Sequence, residues 1–335
     1  MKKSIVALAV LGSFASVAAA QSSVTLFGVI DVAARYTKAN GQTLKSLATD
    51  GNASSRLGVR GTEDLGGGLK VGFWLEGAVA ADAGTADTAK FWGRRATVNL
   101  TGEFGEVRLG RNKSVAQLHI EAFDPTSTTG LGKANALYSN LGSGVSIARF
   151  DNQVSYSLPG NLGGFYGAAD VSAGEGNNNG KSFSGRAGYA AGPLNVSAAM
   201  LQAGVGTKFK LTSFGASYDL GMAKPSLTWS TNKFGGAKQT VFTAAVTVPL
   251  GAGLAWASWT KADANDVAEK QKSAVYDATH LSAGYIYNLS KRTALYSTVS
   301  KIENKGKGTF RVLNSPTPSL GGGSGGFDVG LRHNF

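Results

Sequence analysis

Cysteine is absent from the 335 residues, and proline is scarce, with only 7 residues beside 47 glycines. The lack of cysteine excludes a disulfide scaffold, a thiolate zinc site and a cysteine nucleophile. The scarcity of proline excludes both a collagen-like chain and a proline-rich disordered one. After residue 21, no run reaches the roughly 18 to 20 uninterrupted apolar residues that a membrane helix needs. A membrane-spanning strand needs only about 9 to 11 residues with every second one apolar.

Acidic residues are also few, with 21 Asp and Glu against 33 Lys and Arg, which gives a net charge of +12. The basic residues are dispersed and form no Lys/Arg run, so we expect no nucleic-acid partner.

Residues 1–20 have the pattern of a secretory signal peptide. Lys2 and Lys3 precede an apolar run, and small residues up to Ala20 supply an A-x-A cleavage site before Gln21. We therefore predict a mature chain of residues 21–335, forming one domain, that is exported from the cytoplasm.

Apolar and polar residues alternate along most of this mature chain. Val98 and Leu100 oppose Thr97 and Asn99, for example, and the same period of two recurs in segment after segment. A period of two over whole segments indicates β-strands. We predict sixteen of them, near residues 23–36, 54–64, 69–80, 91–101, 105–115, 145–158, 165–174, 181–191, 194–204, 209–220, 224–234, 238–250, 253–263, 277–289, 293–304 and 323–335.

The connections between these predicted strands alternate in length. Short turns such as 64–68 and 251–253 alternate with long polar stretches such as 38–53 and 114–144. Alternating lengths are typical of outer-membrane barrels, with tight periplasmic turns and long external loops. Because lipid offers no hydrogen-bond partner, a spanning sheet has to close on itself, and about sixteen strands leave a water-filled lumen. We therefore predict an all-β fold, a 16-stranded antiparallel transmembrane β-barrel in the outer membrane.

Five motifs, in order over about 300 residues, carry a family resemblance: SVTLFGVID (23–31), SSRLGVRGTEDLGGGLK (54–70), GEFGEVRLGR (102–111), LSKRTALY (289–296) and VGLRHNF (329–335). In these motifs the chain resembles the trimeric general porins of β-proteobacterial outer membranes, particularly the anion-selective members. The resemblance implies a homotrimer and a third loop, about 114–144, that folds inward as a constriction. It also implies that the terminal Phe335 helps the barrel assembly machinery to recognise the last strand. The expected surroundings are outer-membrane lipid and lipopolysaccharide.

Strand parity indicates which charges face the lumen. If Leu57 and Val59 face lipid, the arginines that alternate with them face inward, and the same argument applies to three more strands, whereas Arg94 has outward parity. The inward arginines predicted in this way are Arg56, Arg60, Arg95, Arg108 and Arg149. By resemblance, anion-selective porins place such a cluster against the constriction, and we expect Arg56, Arg95 and Arg149 to be the main positions. Arginine suits this role because its charge is permanent and its fork matches carboxylate and phosphate oxygens.

Acidic residues are expected near these arginines as counter-charges, either to set a transverse field or to neutralise like charge inside the barrel. The candidates are Asp31, Glu63, Glu76, Glu121 and Asp124.

Signals for catalysis are poor. The chain has three histidines and lacks G-x-S-x-G, H-E-x-x-H and P-loop motifs, so we expect neither an enzyme nor a cofactor or metal. The sequence predicts a porin for passive diffusion of small hydrophilic solutes that favours small anions. Two alternatives remain open: a channel with a saturable site for organic or phosphate anions, and a surface adhesin or receptor barrel.

Overall fold

A computed structural model describes residues 23–270 and 275–335. The predicted signal peptide therefore lies outside the described residues. Eighteen strands occur in this part of the chain, and one sheet contains all of them. Their bounds are β1 (Ser23–Ala39), β2 (Gln42–Thr49), β3 (Arg56–Gly66), β4 (Leu69–Ala80), β5 (Thr85–Ala86), β6 (Arg95–Gly102), β7 (Gly105–Lys113), β8 (Arg149–Ser157), β9 (Phe165–Ser172), β10 (Ser182–Ala191), β11 (Leu194–Ala203), β12 (Phe209–Tyr218), β13 (Lys224–Phe234), β14 (Ala237–Leu250), β15 (Gly253–Ala264), β16 (Ala278–Asn288), β17 (Thr293–Asn304) and β18 (Ser324–Asn334).

The sheet closes because β1 has partners on both edges. One edge pairs antiparallel with β18 over residues 29–39, and the other pairs first with β3 over 23–29 and then with β2 over 32–39. Strand β2 thus extends the wall above β3, and the two-residue β5 is a short addition to β4. The remaining sixteen strands form a closed antiparallel barrel, which confirms the predicted fold.

The wall has an apolar face and a polar face, as the alternation predicts. Val98, Leu109 and Phe214 are between 46 and 52% exposed, whereas their neighbours Thr97 and Ser213 are buried. With each of the sixteen barrel strands paired on both sides, the backbone groups bond within the sheet, as a wall in lipid requires. The apolar face is the one that suits lipid contact.

The two ends of the barrel carry different connections. The chain returns through short turns at one end, and at the other through longer stretches such as those between β7 and β8 and between β17 and β18. We call the latter the long-loop end. Among the described residues, these connections contain two α-helices, α1 (Val115–Phe123) and α2 (Asp266–Lys270). Within residues 23–270 and 275–335, no helix combines the length and apolar character needed to cross a membrane.

The connection between β7 and β8, residues 114–148, lies against the polar face of the wall. Helix α1 starts at Ser114, whose Oγ accepts a hydrogen bond from Gln117 N, and its apolar side packs on β10 to β12. The contacts of the whole connection with the wall run from Asp170 of β9, which accepts a hydrogen bond from Val115 N, to Ser300 of β17, which donates to Leu131 O. A single loop segment therefore follows the polar face past most of the strands from β9 to β17.

Glycine makes a close approach within this loop feasible. Gly130 has φ of 72°, and a Cβ there would lie 1.9 Å from the carbonyl oxygen of Gly51. A side chain at residue 130 would thus separate the loop from the connection after β2.

Candidate functional site

A cavity of about 480 Å³ lies between the 114–148 loop and the wall. On the loop side it is lined by α1 and by residues 125–129, and on the wall side by residues of β3, β7, β8, β16 and β18. We call it the arginine cavity because four of its five cationic lining residues are arginines. Its charged lining residues are Arg56, Arg94, Lys113, Glu121, Arg149 and Arg332. Five cations thus face one anion across this space.

Glu76 holds two of these arginines from beside the cavity. Its Oε1 lies 2.6 Å from Nε of Arg94 and 3.8 Å from Nε of Arg56, and its Oε2 accepts a 3.1 Å hydrogen bond from Trp74 Nε1. One carboxylate thus serves two guanidinium groups, so its charge does not balance theirs.

Arg149 reaches the cavity through an irregular stretch of strand. Its Nε donates to the backbone oxygen of Arg94 at 2.8 Å. The register between β7 and β8 shifts between Gly110 and Asn112, and Asn152 has φ of 52°. Such a bulge interrupts the alternation of side chains. Parity counted back from Val154 therefore does not by itself determine where Arg149 points, although its side chain lines the cavity.

The other two cations are anchored separately. Arg332 Nη1 donates to Asn52 Oδ1 at 2.6 Å, and Lys113 Nζ lies 2.6 Å from Glu121 Oε2. Glu121 also accepts a 2.9 Å hydrogen bond from Gln117 Nε2. The acidic residue of the cavity lining, Glu121, thus belongs to α1, and it forms an ion pair with Lys113.

Arg60 and Arg95 form a second group on the same polar face. Their guanidinium carbons lie 5.0 and 4.5 Å from the ring centre of Trp74, and Arg60 is also 5.2 Å from the ring centre of Phe27. Arg95 Nε donates to Thr97 Oγ1 at 2.9 Å. Stacking on aromatic rings holds an arginine in place without neutralising it. Of the three main predicted arginines, two line the cavity, and Arg95 lies in this neighbouring group.

Arg108 is paired within its own strand, where Nη2 lies 2.8 Å from Glu106 Oε1. It does not line the arginine cavity.

The predicted counter-charges separate into two sets. Glu76 and Glu121 contact the cations of the cavity, as described above. Asp31 instead lies fully buried behind the connection after β2, where it accepts hydrogen bonds from the backbone of Gly51, Asn52 and Ala53 and from the Tyr296 hydroxyl. Its carboxylate is saturated by these donors and fixes that connection rather than facing the arginines.

Asp124 also has a structural place. Its carboxylate accepts hydrogen bonds from the backbone of Thr126, Thr128 and Ala134, so it shapes the loop after α1. Burial raises the pKa of Asp124 above its ordinary value, and these hydrogen bonds offset part of that rise. Glu63 lies exposed on the same strand face as Leu57 and Val59, away from the arginines. These acids and Asp31 thus make contacts other than ion pairs with the cavity arginines, and their role as counter-charges stays a prediction.

His119 attaches α1 to the wall. Its Nδ1 lies 2.9 Å from Ser197 Oγ and its Nε2 lies 3.0 Å from Ser213 Oγ. Burial, with a smaller contribution from the charge of Arg186, lowers the pKa of His119 to about 4. The histidine is therefore neutral at pH 7 and helps to hold the loop that bounds the cavity.

Sequence reasoning missed Arg94, Arg332 and Lys113. Arg94 was assigned outward parity, but it lies in the bend just before β6, where alternation does not apply, and bonds Glu76. Arg332 alternates with apolar Leu331, so its inward parity was readable in the last strand. Lys113 carried no distinguishing signal, because only the fold of α1 brings it to Glu121.

Comparisons with known proteins agree on one family. The family model described as Gram-negative porin matches residues 7–307. The chain is 37% identical to outer membrane porin protein 32 of Delftia acidovorans and 29% identical to an outer membrane porin protein of Bordetella pertussis, in each case over the full length of both chains. Among solved structures, the anion-selective porin from Comamonas acidovorans matches with a TM-score of 0.84 and 35% identity, covering 94% of this chain and all of that one.

Proposed function

Because this chain belongs to the Gram-negative porin family, whose members are outer-membrane channels rather than enzymes, we propose that it forms a water-filled path for passive diffusion of small hydrophilic solutes and that its arginines favour anions. The barrel is a multi-pass outer-membrane protein, so its polar face borders the path through the membrane. The observation that carries the proposal is the arginine cavity, where five cations meet one acid beside the 114–148 loop.

In this account the loop and the opposite wall form the narrowest part of the path. The selectivity of a pore is set by the charges at its narrowest point. Arg56, Arg94 and Arg149 present permanent charges there, because a guanidinium does not lose its proton in the physiological range. Glu76 and Glu121 hold the cations apart, so the attraction stays shallow enough for an anion to leave again.

Arg60 and Arg95 would extend the positive potential along the wall beyond the cavity, whereas the charge of Arg108 is balanced by Glu106. Since Trp74 lies beside two of these guanidinium groups, they keep fixed positions without a carboxylate partner. An anion leaving the cavity would therefore meet further positive charge before reaching the other mouth.

Assembly is proposed to follow the family pattern, a homotrimer inserted with the help of the barrel assembly machinery. The last residue supports a special role for the C-terminus, because Phe335 N and O both bond the backbone of Gly28 at 3.1 Å. Its ring also lies over Gly28, where a Cβ would be 2.3 Å from Phe335 Cζ. The C-terminal residue thus takes part in closing the barrel.

The proposal is tested by ion replacement on the reconstituted protein in a planar bilayer. Replacing chloride with a bulky anion should reduce the single-channel conductance strongly, whereas replacing potassium with a bulky cation should reduce it little. Equal losses, or a larger loss on replacing potassium, would refute the anion preference. Conductance that saturates with salt concentration would favour the solute-specific channel, and negligible conductance would favour the adhesin or receptor.

A further inference from the structure

Two aromatic side chains lie on the polar face of the wall, where polar side chains are the rule in outer-membrane barrels. Phe27 of β1 and Trp74 of β4 alternate with Leu26 and Phe73, which are 62 and 38% exposed on the apolar face. Phe27 and Trp74 are themselves half-buried, and their ring centres lie 4.9 Å apart at an interplanar angle of 66°. Lipid contact does not explain these two rings, because they point away from the lipid.

Two arginines stack on this aromatic pair. Arg60 of β3 lies directly opposite Trp74, and its guanidinium carbon is 5.0 Å from the ring centre of Trp74 and 5.2 Å from that of Phe27. Arg95 of β6 approaches Trp74 to 4.5 Å. Cations at such distances are attracted to the faces of the rings. We call Phe27, Arg60, Trp74 and Arg95 the aromatic rack.

The cations of the rack have no carboxylate partner. In the part of the chain that the structure describes, neither Arg60 nor Arg95 lies within ion-pair distance of an acid. The nearby acids Glu76 and Glu106 are each bonded by another arginine. Arg95 is half-buried, whereas Arg60 is exposed. The Arg60 guanidinium is therefore available to a solute on the water-filled side.

The rack is a place separate from the arginine cavity. Arg60 follows Arg56 by four residues toward the short turn between β3 and β4, which places it about 13 Å from the cavity along the strand. Its inward neighbours Thr25 and Thr62 are small and exposed. Phe27 lies directly on Gly58, where a Cβ would be 2.3 Å from its Cζ, so the ring is held against the wall. The rack thus borders open space and is not covered by a bulky neighbour.

We propose that the aromatic rack binds planar aromatic carboxylates, an inference that rests on the channel proposed above. The carboxylate pairs with the N–H fork of Arg60, which matches its two oxygens. The ring of the solute stacks on the layer formed by the guanidinium groups and the two rings. A hydrated inorganic anion, or an aliphatic acid of equal charge, uses only the charge of the rack. An aromatic acid is therefore retained longer than either.

The test compares benzoate with cyclohexanecarboxylate, two acids of equal charge and similar size, as blockers of the chloride current through reconstituted single channels. Benzoate should reach half-block at about one fifth of the concentration that cyclohexanecarboxylate needs. A fivefold ratio corresponds to about 1 kcal/mol, the usual gain from one aromatic pair. Because the ratio is taken within each protein, a change in the charge or conductance of a variant cancels. If the rings only hold the arginines in place, the ratio should be near one.

Trp74→Leu and Trp74→Phe form a matched pair, because both remove the indole N–H that bonds Glu76 and only the first removes the ring. Trp74→Leu should bring the ratio close to one, and Trp74→Phe should keep most of it. Phe27→Leu leaves the contact with Glu76 in place and should lower the ratio in part, so the test does not depend on one variant folding. Tyr166→Leu is the control, since Tyr166 lies 5.3 Å from the guanidinium carbon of Arg186 on another part of the polar face. It should keep the wild-type ratio.

The proposal is overturned if the wild-type ratio is near one, if Trp74→Leu and Phe27→Leu both keep that ratio, or if Tyr166→Leu loses as much as they do. It is equally overturned if Arg60→Gln blocks with both acids as the wild type does, because the carboxylate would then bind elsewhere. A ratio near one in channels that conduct chloride leaves the channel proposal standing. Absence of chloride current would refute the channel instead, and binding of the two acids to detergent-solubilised protein, measured by NMR relaxation of the acids, then tests the rack by itself.

Discussion

Replacing Arg149 with glutamine is the cleanest way to change the charge of the arginine cavity. Its guanidinium lines the cavity and bonds a backbone oxygen of Arg94, and among the described residues it forms no ion pair. By contrast, removing Arg56 or Arg94 would also release Glu76. Arg149→Gln therefore removes one positive charge without leaving an unpaired carboxylate.

The expected change in the anion-to-cation permeability ratio follows from Coulomb's law. A unit charge about 5 Å from a permeating ion contributes about 0.8 kcal/mol at the dielectric constant of water. At 0.1 M salt, where the Debye length is about 10 Å, about 0.5 kcal/mol remains. Because the charge attracts anions and repels cations equally, its loss should lower the anion-to-cation permeability ratio roughly fivefold. At 1 M salt, with a Debye length of about 3 Å, the change should fall below about twofold.

The assay is the zero-current potential across a bilayer that separates two KCl concentrations. Lys224→Gln is the matched control, since Lys224 follows the short turn between β12 and β13, and no residue of these two strands lines the cavity. The control should keep the wild-type ratio. If Arg149→Gln left the ratio unchanged at 0.1 M salt, or if both variants changed it equally, the cavity would not set the selectivity.

Three further outcomes are expected. Because the pKa of His119 lies near 4 in the folded protein and near 6.5 when unburied, docking of α1 is fully stabilised above pH 6.5 and weakens as the pH falls toward 4. The protection of the α1 amides against hydrogen exchange, relative to their intrinsic exchange rates at each pH, should therefore fall over that range in the wild type and stay constant in His119→Gln. Phe335→Ala, which removes the ring over Gly28, should lower the amount of folded barrel in outer membranes, measured by gel mobility before and after heating, while the conductance of purified channels stays normal. Val246→Lys, on the apolar face, should lower the stability of the barrel by about 2 to 4 kcal/mol if it lies near the midplane, measured by urea unfolding, and a changed selectivity would contradict the assigned parity.

The strands were readable from the sequence because lipid imposes a period of two on each of them. The segment 293–304, for example, was predicted with the bounds that β17 has in the structure. Strand β2 was missed within a predicted loop because Gln42–Thr49 extends the wall above β3, where the lipid pattern is weaker. Helix α1 was missed because its apolar side is set by contacts with β10 to β12 rather than by lipid.

The residues that line the cavity could be predicted from the sequence only in part. Regular alternation in β3 placed Arg56 on the polar face, and the structure brings it to the cavity. The alternation of side chains does not hold in the bend before β6, so the direction predicted from it for Arg94 was wrong. Alternation also gives no information on whether hydrogen bonds already occupy a carboxylate. Asp31 was for that reason taken as a partner of the arginines, whereas backbone donors of the connection after β2 saturate it. Such placements depend on how loops fold against the wall, which a local pattern does not encode.

The most direct test of the account is the zero-current potential of the wild-type protein in a KCl gradient at low salt. Selection by the arginine cavity predicts a potential with the sign of the chloride equilibrium potential, and this potential should shrink as the mean salt concentration rises. A potential near zero at low salt, or one with the sign of the potassium equilibrium potential, would contradict the account.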